Sequence, residues 1–175
     1  MTGRAAILTM LAAACCGTLA AATPEYEVKA AYLYNFVKFT EWPNGEPTGS
    51  LTVCIYGRDP FGGFLDEAVR GKQVHGLPVQ IRRLSAGDEH VEGCQLLFFG
   101  SGERIESTLS RLQDKSILTV GESDGFLERG GMIGLVVAQG RVRFDINLGA
   151  IAAARLEVSS RLIEIGHVVG SRTRK

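Results

Sequence analysis

Three short apolar runs, each closed by a glycine, constrain this chain more than any other feature. Leu51-Thr-Val-Cys-Ile-Tyr56 ends in Gly57, Leu96-Leu-Phe-Phe99 ends in Gly100, and residues 116–120 end in Gly121. Runs of four to six β-branched, aliphatic and aromatic residues punctuated in this way read as buried strands. Behind the first two, residues 61–70 and 103–113 carry helical patterns. A strand that leads into a helix and then into another strand pairs in parallel, because the helix must cross back over the sheet. Residues 77–84 alternate apolar and polar through Val79, Ile81 and then Leu84, as an outer strand with one solvated face does.

The C-terminal third changes character. Residues 132–137 and 141–146 are β-rich and separated by Ala138-Gln139-Gly140, which predicts an antiparallel hairpin. Asn147 can cap a helix over 148–154, and Ser159 or Ser160 one over 161–168. The predicted fold is a single α/β domain over residues 23–170. It has a mostly parallel sheet flanked by helices on both faces, with a C-terminal antiparallel hairpin and two short helices.

Residues 1–22 read as a separate object. Arg4 precedes an apolar core over 5–14, and Ala20-Ala21-Ala22 stands before Thr23-Pro24, the pattern of a secretory signal peptide. About ten apolar residues are too few for a bilayer core of roughly 30 Å, which needs about 20. The expectation is an exported chain beginning near Thr23, with no direct membrane insertion. A lipoprotein reading places the modified residue at Cys15 or Cys16, but the Leu three positions before is missing in both registers. At the other end, residues 171–175 form a polar, basic tail expected to be disordered.

Thr23-Pro24-Glu25-Tyr26-Glu27 carries a capping hydroxyl, a first-turn proline and two acids, so a helix should start here. Residues 28–39 are apolar on almost every face, broken only by Lys29, Asn35 and Lys38. With Val28, Tyr32, Phe36 and Phe39 taken as the inward stripe, Leu33, Tyr34 and Val37 remain to be covered by something else. A neighbouring element can cover them, or the segment can be an aromatic partner surface. In the second reading Tyr32, Tyr34, Val37, Phe39 and Trp42 are the contact residues.

Motifs for catalysis are incomplete. Gly57 to Gly62 fits the spacing of a phosphate loop, but Gly63 and Phe64 stand where Lys and Ser/Thr are required. Gly100-Ser101-Gly102 has Ile105 where a dinucleotide fingerprint needs a third glycine. Ser101 has Phe99 and Glu103 where a nucleophile elbow needs glycines two positions to either side, and reads as a helix cap. His75, His90 and His167 fit no metal-ligand spacing, and Asp145 reads as paired with a nearby Arg. No catalytic residue, cofactor or metal is therefore expected. With 19 basic against 19 acidic residues and no long basic run, nucleic acid is excluded as a partner. A ligand-binding alternative uses the strand-end loops, with Gly57, Asp59, Phe61, Ser101, Glu122 and Ser123 as its residues.

Removal of residues 1–22 leaves Cys54 and Cys94. One bridge in an oxidising compartment and a pair of buried free thiols both fit the sequence.

Several ordered blocks carry a resemblance: Tyr26-Glu-Val-Lys-Ala-Ala-Tyr-Leu-Tyr-Asn-Phe-Val-Lys-Phe-Thr-Glu-Trp-Pro43, Val53-Cys-Ile-Tyr-Gly-Arg-Asp-Pro-Phe-Gly62, Cys94-Gln-Leu-Leu-Phe-Phe99, Gly130-Gly-Met-Ile133, Arg141-Val-Arg-Phe-Asp-Ile-Asn-Leu148 and Ser159-Ser-Arg-Leu162. Together they resemble the YfiR-like periplasmic proteins over the whole chain after residue 22. The resemblance implies an α/β domain in the periplasm of a Gram-negative bacterium, without catalytic residues. It implies a repressor that binds the periplasmic portion of an inner-membrane diguanylate cyclase of the YfiN type, lowering cyclic di-GMP and biofilm formation. Cys54 and Cys94 match the positions of one bridge in that family, and no second pair lies near Met132. A homodimer is compatible with this reading.

Overall fold

The structure, a computed structural model, describes residues 24–43, 47–102 and 104–169. The predicted leader and the basic tail both lie outside the described residues. In chain order the elements are α1 (Pro24–Lys38), β1 (Thr40–Glu41), β2 (Leu51–Tyr56), α2 (Phe64–Val69), β3 (Gln73–Val74), β4 (Leu77–Leu84), β5 (Leu96–Phe99) and α3 (Glu106–Leu112). They continue with β6 (Leu118–Gly121), β7 (Ile133–Ala138), β8 (Arg141–Ile146), α4 (Leu148–Ala153), β9 (Glu157–Val158), α5 (Ser160–Ile165) and β10 (His167–Val168).

The main sheet runs β10-β8-β7-β6-β5-β2-β4-β3. Strands β4, β2, β5, β6 and β7 are mutually parallel. The β7–β8 hairpin is antiparallel, with Ile133 opposite Ile146 and Ala138 opposite Arg141. This is a single α/β domain with a mixed, mostly parallel sheet, as the glycine-closed runs predict. A two-stranded antiparallel sheet of β1 and β9 ties the end of the α1 segment to the C-terminal region.

Strand alternation divides the core in two. Val53, Ile55, Leu96, Phe98, Leu118, Val120, Ile133 and Phe144 face α1, α2 and the C-terminal helices. Cys54, Tyr56, Leu97 and Phe99 face the opposite way, beneath α3. Helices therefore cover both faces. In the second layer the Phe126 ring lies between Gly121 and Gly131, where an added Cβ would meet it at 2.4 and 2.2 Å. Only glycine fits either position.

The inward face of α1 differs from the expected one. Its buried residues are Lys29, Ala30, Leu33, Phe36 and Val37, whereas Val28 is 45% exposed. Leu33 and Val37 therefore belong to the core, as the reading in which a neighbouring element covers them expects, whereas the inward stripe through Val28 is corrected and Val37 is not free for the partner-surface reading. In a helix that is apolar nearly all round, periodicity does not select one stripe. The observed stripe places small Ala30 and branched Val37 toward the packed neighbours.

Several boundaries also shift. Helix α2 begins at Phe64, not 61, because Asp59 Oδ1 accepts the Phe61 N–H at 2.7 Å and holds that residue in the turn. Helix α3 is capped at Ile105 without a side-chain hydrogen bond, so Ser101 is not its cap. Asn147 and Ser159 do cap α4 and α5, accepting from the N–H groups of Ala150 and Arg161. Helix α5 stops at Ile165, since His167 and Val168 pair with Asp145 and Ile146 of β8. Thr40 and Glu41 leave the helical path to form β1.

Candidate functional site

Parallel pairing in register brings the strand ends together. Tyr56 lies opposite Phe99, and Phe99 opposite Gly121, so the loops after β2, β5 and β6 emerge side by side. The chain steps from β2 to β4 in one direction and then returns to place β5 on the other side of β2. Such a reversal leaves a crevice at the carboxyl ends of the strands, where α/β sheets hold ligands.

The first turn of α1 closes one side of this crevice. Glu122, just beyond β6, accepts a hydrogen bond from Lys29 Nζ at 2.5 Å, from the Tyr26 hydroxyl at 3.1 Å and from the Ser101 backbone N–H at 3.0 Å. Lys29 and Glu122 side chains are each 4% exposed, and Glu25 reaches the same ammonium at 2.5 Å. Burial disfavours the Lys29 charge most strongly, but hydrogen bonds to Glu122 and Glu25 and the Glu122 charge outweigh it, holding the ammonium above its ordinary range. Burial, then the adjacent Glu122 charge, pushes the Tyr26 hydroxyl up as well. Both groups therefore keep their protons, which suits a fixed polar anchor and not proton transfer.

A cleft of about 470 Å³ opens beside this cluster, bordered by Tyr26, Lys29, Ser101, Glu122, Ser123 and Asp145. Of the six residues of the ligand-loop expectation, Ser101, Glu122 and Ser123 meet here. Ser123 Oγ accepts from Arg129 Nη2 at 2.8 Å. Gly57, Asp59 and Phe61 have structural work. Gly57 turns the chain at φ 78°. Asp59 Oδ2 accepts from Arg83 Nε at 2.6 Å, and the same guanidinium bonds Asp66 at 2.7 Å. Those two partners hold Arg83 above its ordinary range. Phe61 is fully buried against Phe98, with ring centroids 4.8 Å apart, and against Tyr26 at 5.6 Å.

Tyr26 and Lys29 were absent from the sequence expectation. The signal was a lysine on the same helical stripe as Leu33 and Phe36, which demands an acidic partner when buried. Among the described residues Asp145 pairs with His167 Nδ1 at 3.3 Å and not with an arginine. Among the described residues, no group of three or more His, Cys, Asp or Glu is arranged to hold a metal ion.

The aromatic residues of the first segment divide by exposure. Val37 is fully buried and Trp42 is 4% exposed, so neither lies on an open surface. Trp42 also stands beyond the helix, after β1. Tyr32, Tyr34 and Phe39 are half-buried. Tyr32 packs its ring on Phe36 and Phe144 at 5.8 and 5.2 Å, and Lys72 Nζ sits 5.1 Å from the Tyr34 ring centroid.

Cys54 and Cys94 form a disulfide with Cα atoms 5.8 Å apart. It lies in the layer beneath α3 with both residues buried. Arg82 Nη2 donates to Cys94 Sγ at 3.0 Å and to the Glu92 carbonyl at 2.7 Å, pinning the bridged loop to β4.

A search of curated proteins found none that matches the chain. The family model described as YfiR/HmsC-like matches residues 26–167, from the Tyr26 of the buried cluster to the His167 that pairs with β8. With that match spanning every element except the terminal residues of α1 and β10, the chain belongs to the YfiR/HmsC-like family.

Proposed function

We propose that this chain is a non-catalytic periplasmic regulator that binds and restrains an inner-membrane diguanylate cyclase, lowering cyclic di-GMP and with it biofilm formation. The family match carries this reading, since a YfiR-like domain implies a regulator of diguanylate cyclase signalling that acts through a membrane partner. The Cys54–Cys94 bridge suits an oxidising compartment. Among the described residues no helix is long and apolar enough to cross a membrane. Residues 1–22 act as the export signal, and 23–170 form the functional unit. The half-buried aromatic residues Tyr32, Tyr34 and Phe39 supply the anchors for the partner.

The test is deletion of the gene combined with capture from solubilised inner membranes, using the processed protein as bait. Deletion should raise cyclic di-GMP, and the bait should retain a diguanylate cyclase. Unchanged cyclic di-GMP with no cyclase retained overturns the proposal. N-terminal mass spectrometry should find a chain beginning near Thr23 in the periplasmic fraction. A lipid-modified Cys15 or Cys16 in the membrane fraction overturns the export assignment.

The cleft beside Lys29 and Glu122 favours a second reading, a small-ligand module that feeds a membrane sensor. Its volume, about 470 Å³, lies in the usual range for such sites. A metabolite at 100 times its dissociation constant stabilises the protein by about 2.7 kcal/mol, which a thermal-shift panel detects.

A further inference from the structure

Val169, the last residue after β10, stands on the wall of the cleft beside Glu122. Main-chain pairing fixes it there, since its N–H donates to the Ile146 carbonyl at 3.0 Å. Residues 170–175, Gly-Ser-Arg-Thr-Arg-Lys, therefore begin at that cleft. Fully extended they span at most about 20 Å, and Arg172 follows Val169 by about 10 Å of chain.

The cleft is acidic. Glu25, Glu122, Asp124, Glu128 and Asp145 border it, against the single ammonium of Lys29. Glu25 and Glu122 take up that ammonium, and Asp145 faces His167. Asp124 and Glu128 are exposed and, among the described residues, their carboxylates have no hydrogen bond or ion pair. Arg129, in the same loop, is occupied with Ser123 Oγ and Glu106. Val136 and Val137 add an apolar wall, 39% and 52% exposed.

Residues 170–175 are complementary to these walls. They carry Arg172, Arg174 and Lys175 and no acid. In an extended segment side chains two positions apart point the same way, so Arg172 and Arg174 share one face. A guanidinium fits a carboxylate through two parallel N–H donors, and its methylene stem packs on apolar surface while the charged head stays in water.

We propose that residues 170–175 fold back into the cleft as an extended strap, with Arg172 and Arg174 pairing with Asp124 and Glu128 and their stems packing on Val136 and Val137. Ion pairs of this exposure are individually weak and screened by salt, so the strap is removable. Whatever enters the cleft must first displace it, which makes the segment an internal competitor for the site. This gives the basic tail a bound place instead of the disorder expected from the sequence. The inference goes beyond the cyclase reading and does not depend on it.

The test uses the ¹⁵N-labelled chain from Thr23 to Lys175. At low salt the heteronuclear NOE of the amides of residues 172–175 should lie close to that of the sheet residues. It should fall to free-chain values in about 1 M NaCl, where the screening length is only about 3 Å. Asp124→Asn combined with Glu128→Gln should release the segment in the same way at low salt. Arg172→Glu combined with Arg174→Glu should release it too, and should shift the Gly125 and Val136 amides, which are distant in sequence. Free-chain NOE values in the unsubstituted protein at low salt overturn the proposal, as does ordering that survives either high salt or the Asp124/Glu128 variant. Gly125 and Val136 amides unmoved by the arginine variant overturn the placement in this cleft. Ordering lost on tenfold dilution assigns the segment to the cleft of a second copy and overturns the intramolecular strap. If the Asp124/Glu128 variant fails to fold, the unsubstituted chain and the arginine variant decide. None of these readouts involves a cyclase or cyclic di-GMP, so failure here leaves the proposed function standing.

Discussion

Lys29 Nζ and Glu122 Oε2 lie 2.5 Å apart with both side chains 4% exposed, joining the first turn of α1 to the end of β6 across 93 positions of sequence. Because Glu25 also pairs with the ammonium, and Tyr26 and the Ser101 N–H complete the Glu122 carboxylate, neither charge is left bare. Removing Glu122 leaves the buried ammonium with Glu25, a carboxylate 38% exposed, as its remaining partner, so much of the cost of burial returns. Glu122→Leu should therefore destabilise the fold by about 3 kcal/mol, read by urea denaturation. Lys29→Met combined with Glu122→Leu should recover most of that loss, because an apolar pair needs no compensation. A double variant less stable than the single one would show that the ion pair stabilises the fold outright.

The same pair fixes a pH dependence. Lys29 and Tyr26 both have folded-state values above their ordinary ones, 10.5 and 10.0. A group raised in the folded state holds its stabilisation fully below its unfolded value and loses it as pH rises through the folded value. Unfolding free energy should thus show no loss from these groups at neutral pH and fall above about pH 10. Lys29→Met should flatten part of that alkaline decline. An unchanged slope in the variant would remove Lys29 from the explanation.

The disulfide closes a sequence separation of 40. On chain-entropy grounds, replacing both cysteines with Ala should cost about 3–4 kcal/mol, measured as a lower urea midpoint. Alkylation of unreduced, denatured protein should label neither Cys54 nor Cys94. Labelling of both would contradict the bridge, and a double variant of full stability would leave it without a structural role.

Sheet order was legible where local chemistry and global packing agree. Gly57, Gly100 and Gly121 end strands whose residues are buried on both faces, and no other arrangement of such runs suits a chain with intervening helices. Asn147 and Ser159 were legible as caps because capping is a contact within three residues. The paired acids and lysine were not, since Lys29 and Glu122 meet only after the sheet forms. Two-residue strands such as β1 and β10 likewise have no pattern of their own, and exist because β9 and β8 offer a ladder. The candidate site was half legible: Ser101, Glu122 and Ser123 follow from strand ends, whereas Tyr26 and Lys29 come from a helix that the apolar pattern had rotated wrongly.

That rotation sharpens the test of the partner surface. Phe36 is fully buried, 5.0 Å from the Phe144 ring centroid and 5.8 Å from Tyr32, so Phe36→Ala should cost about 3–5 kcal/mol. Tyr34, two positions back and about 160° around the helix from Phe36, is half-buried, with Lys72 over its ring. Tyr34→Ala gives up a cation–π contact of about 0.5–1 kcal/mol at a site of this exposure, together with some packing, and should leave a folded protein with a modestly lower melting temperature. If Tyr34 anchors the membrane partner, the same variant should lose capture of the cyclase and raise cyclic di-GMP in the cell. Intact capture by a folded Tyr34→Ala protein would leave this helix as core alone and move the regulatory surface to the strand-end loops around Ser101 and Glu122.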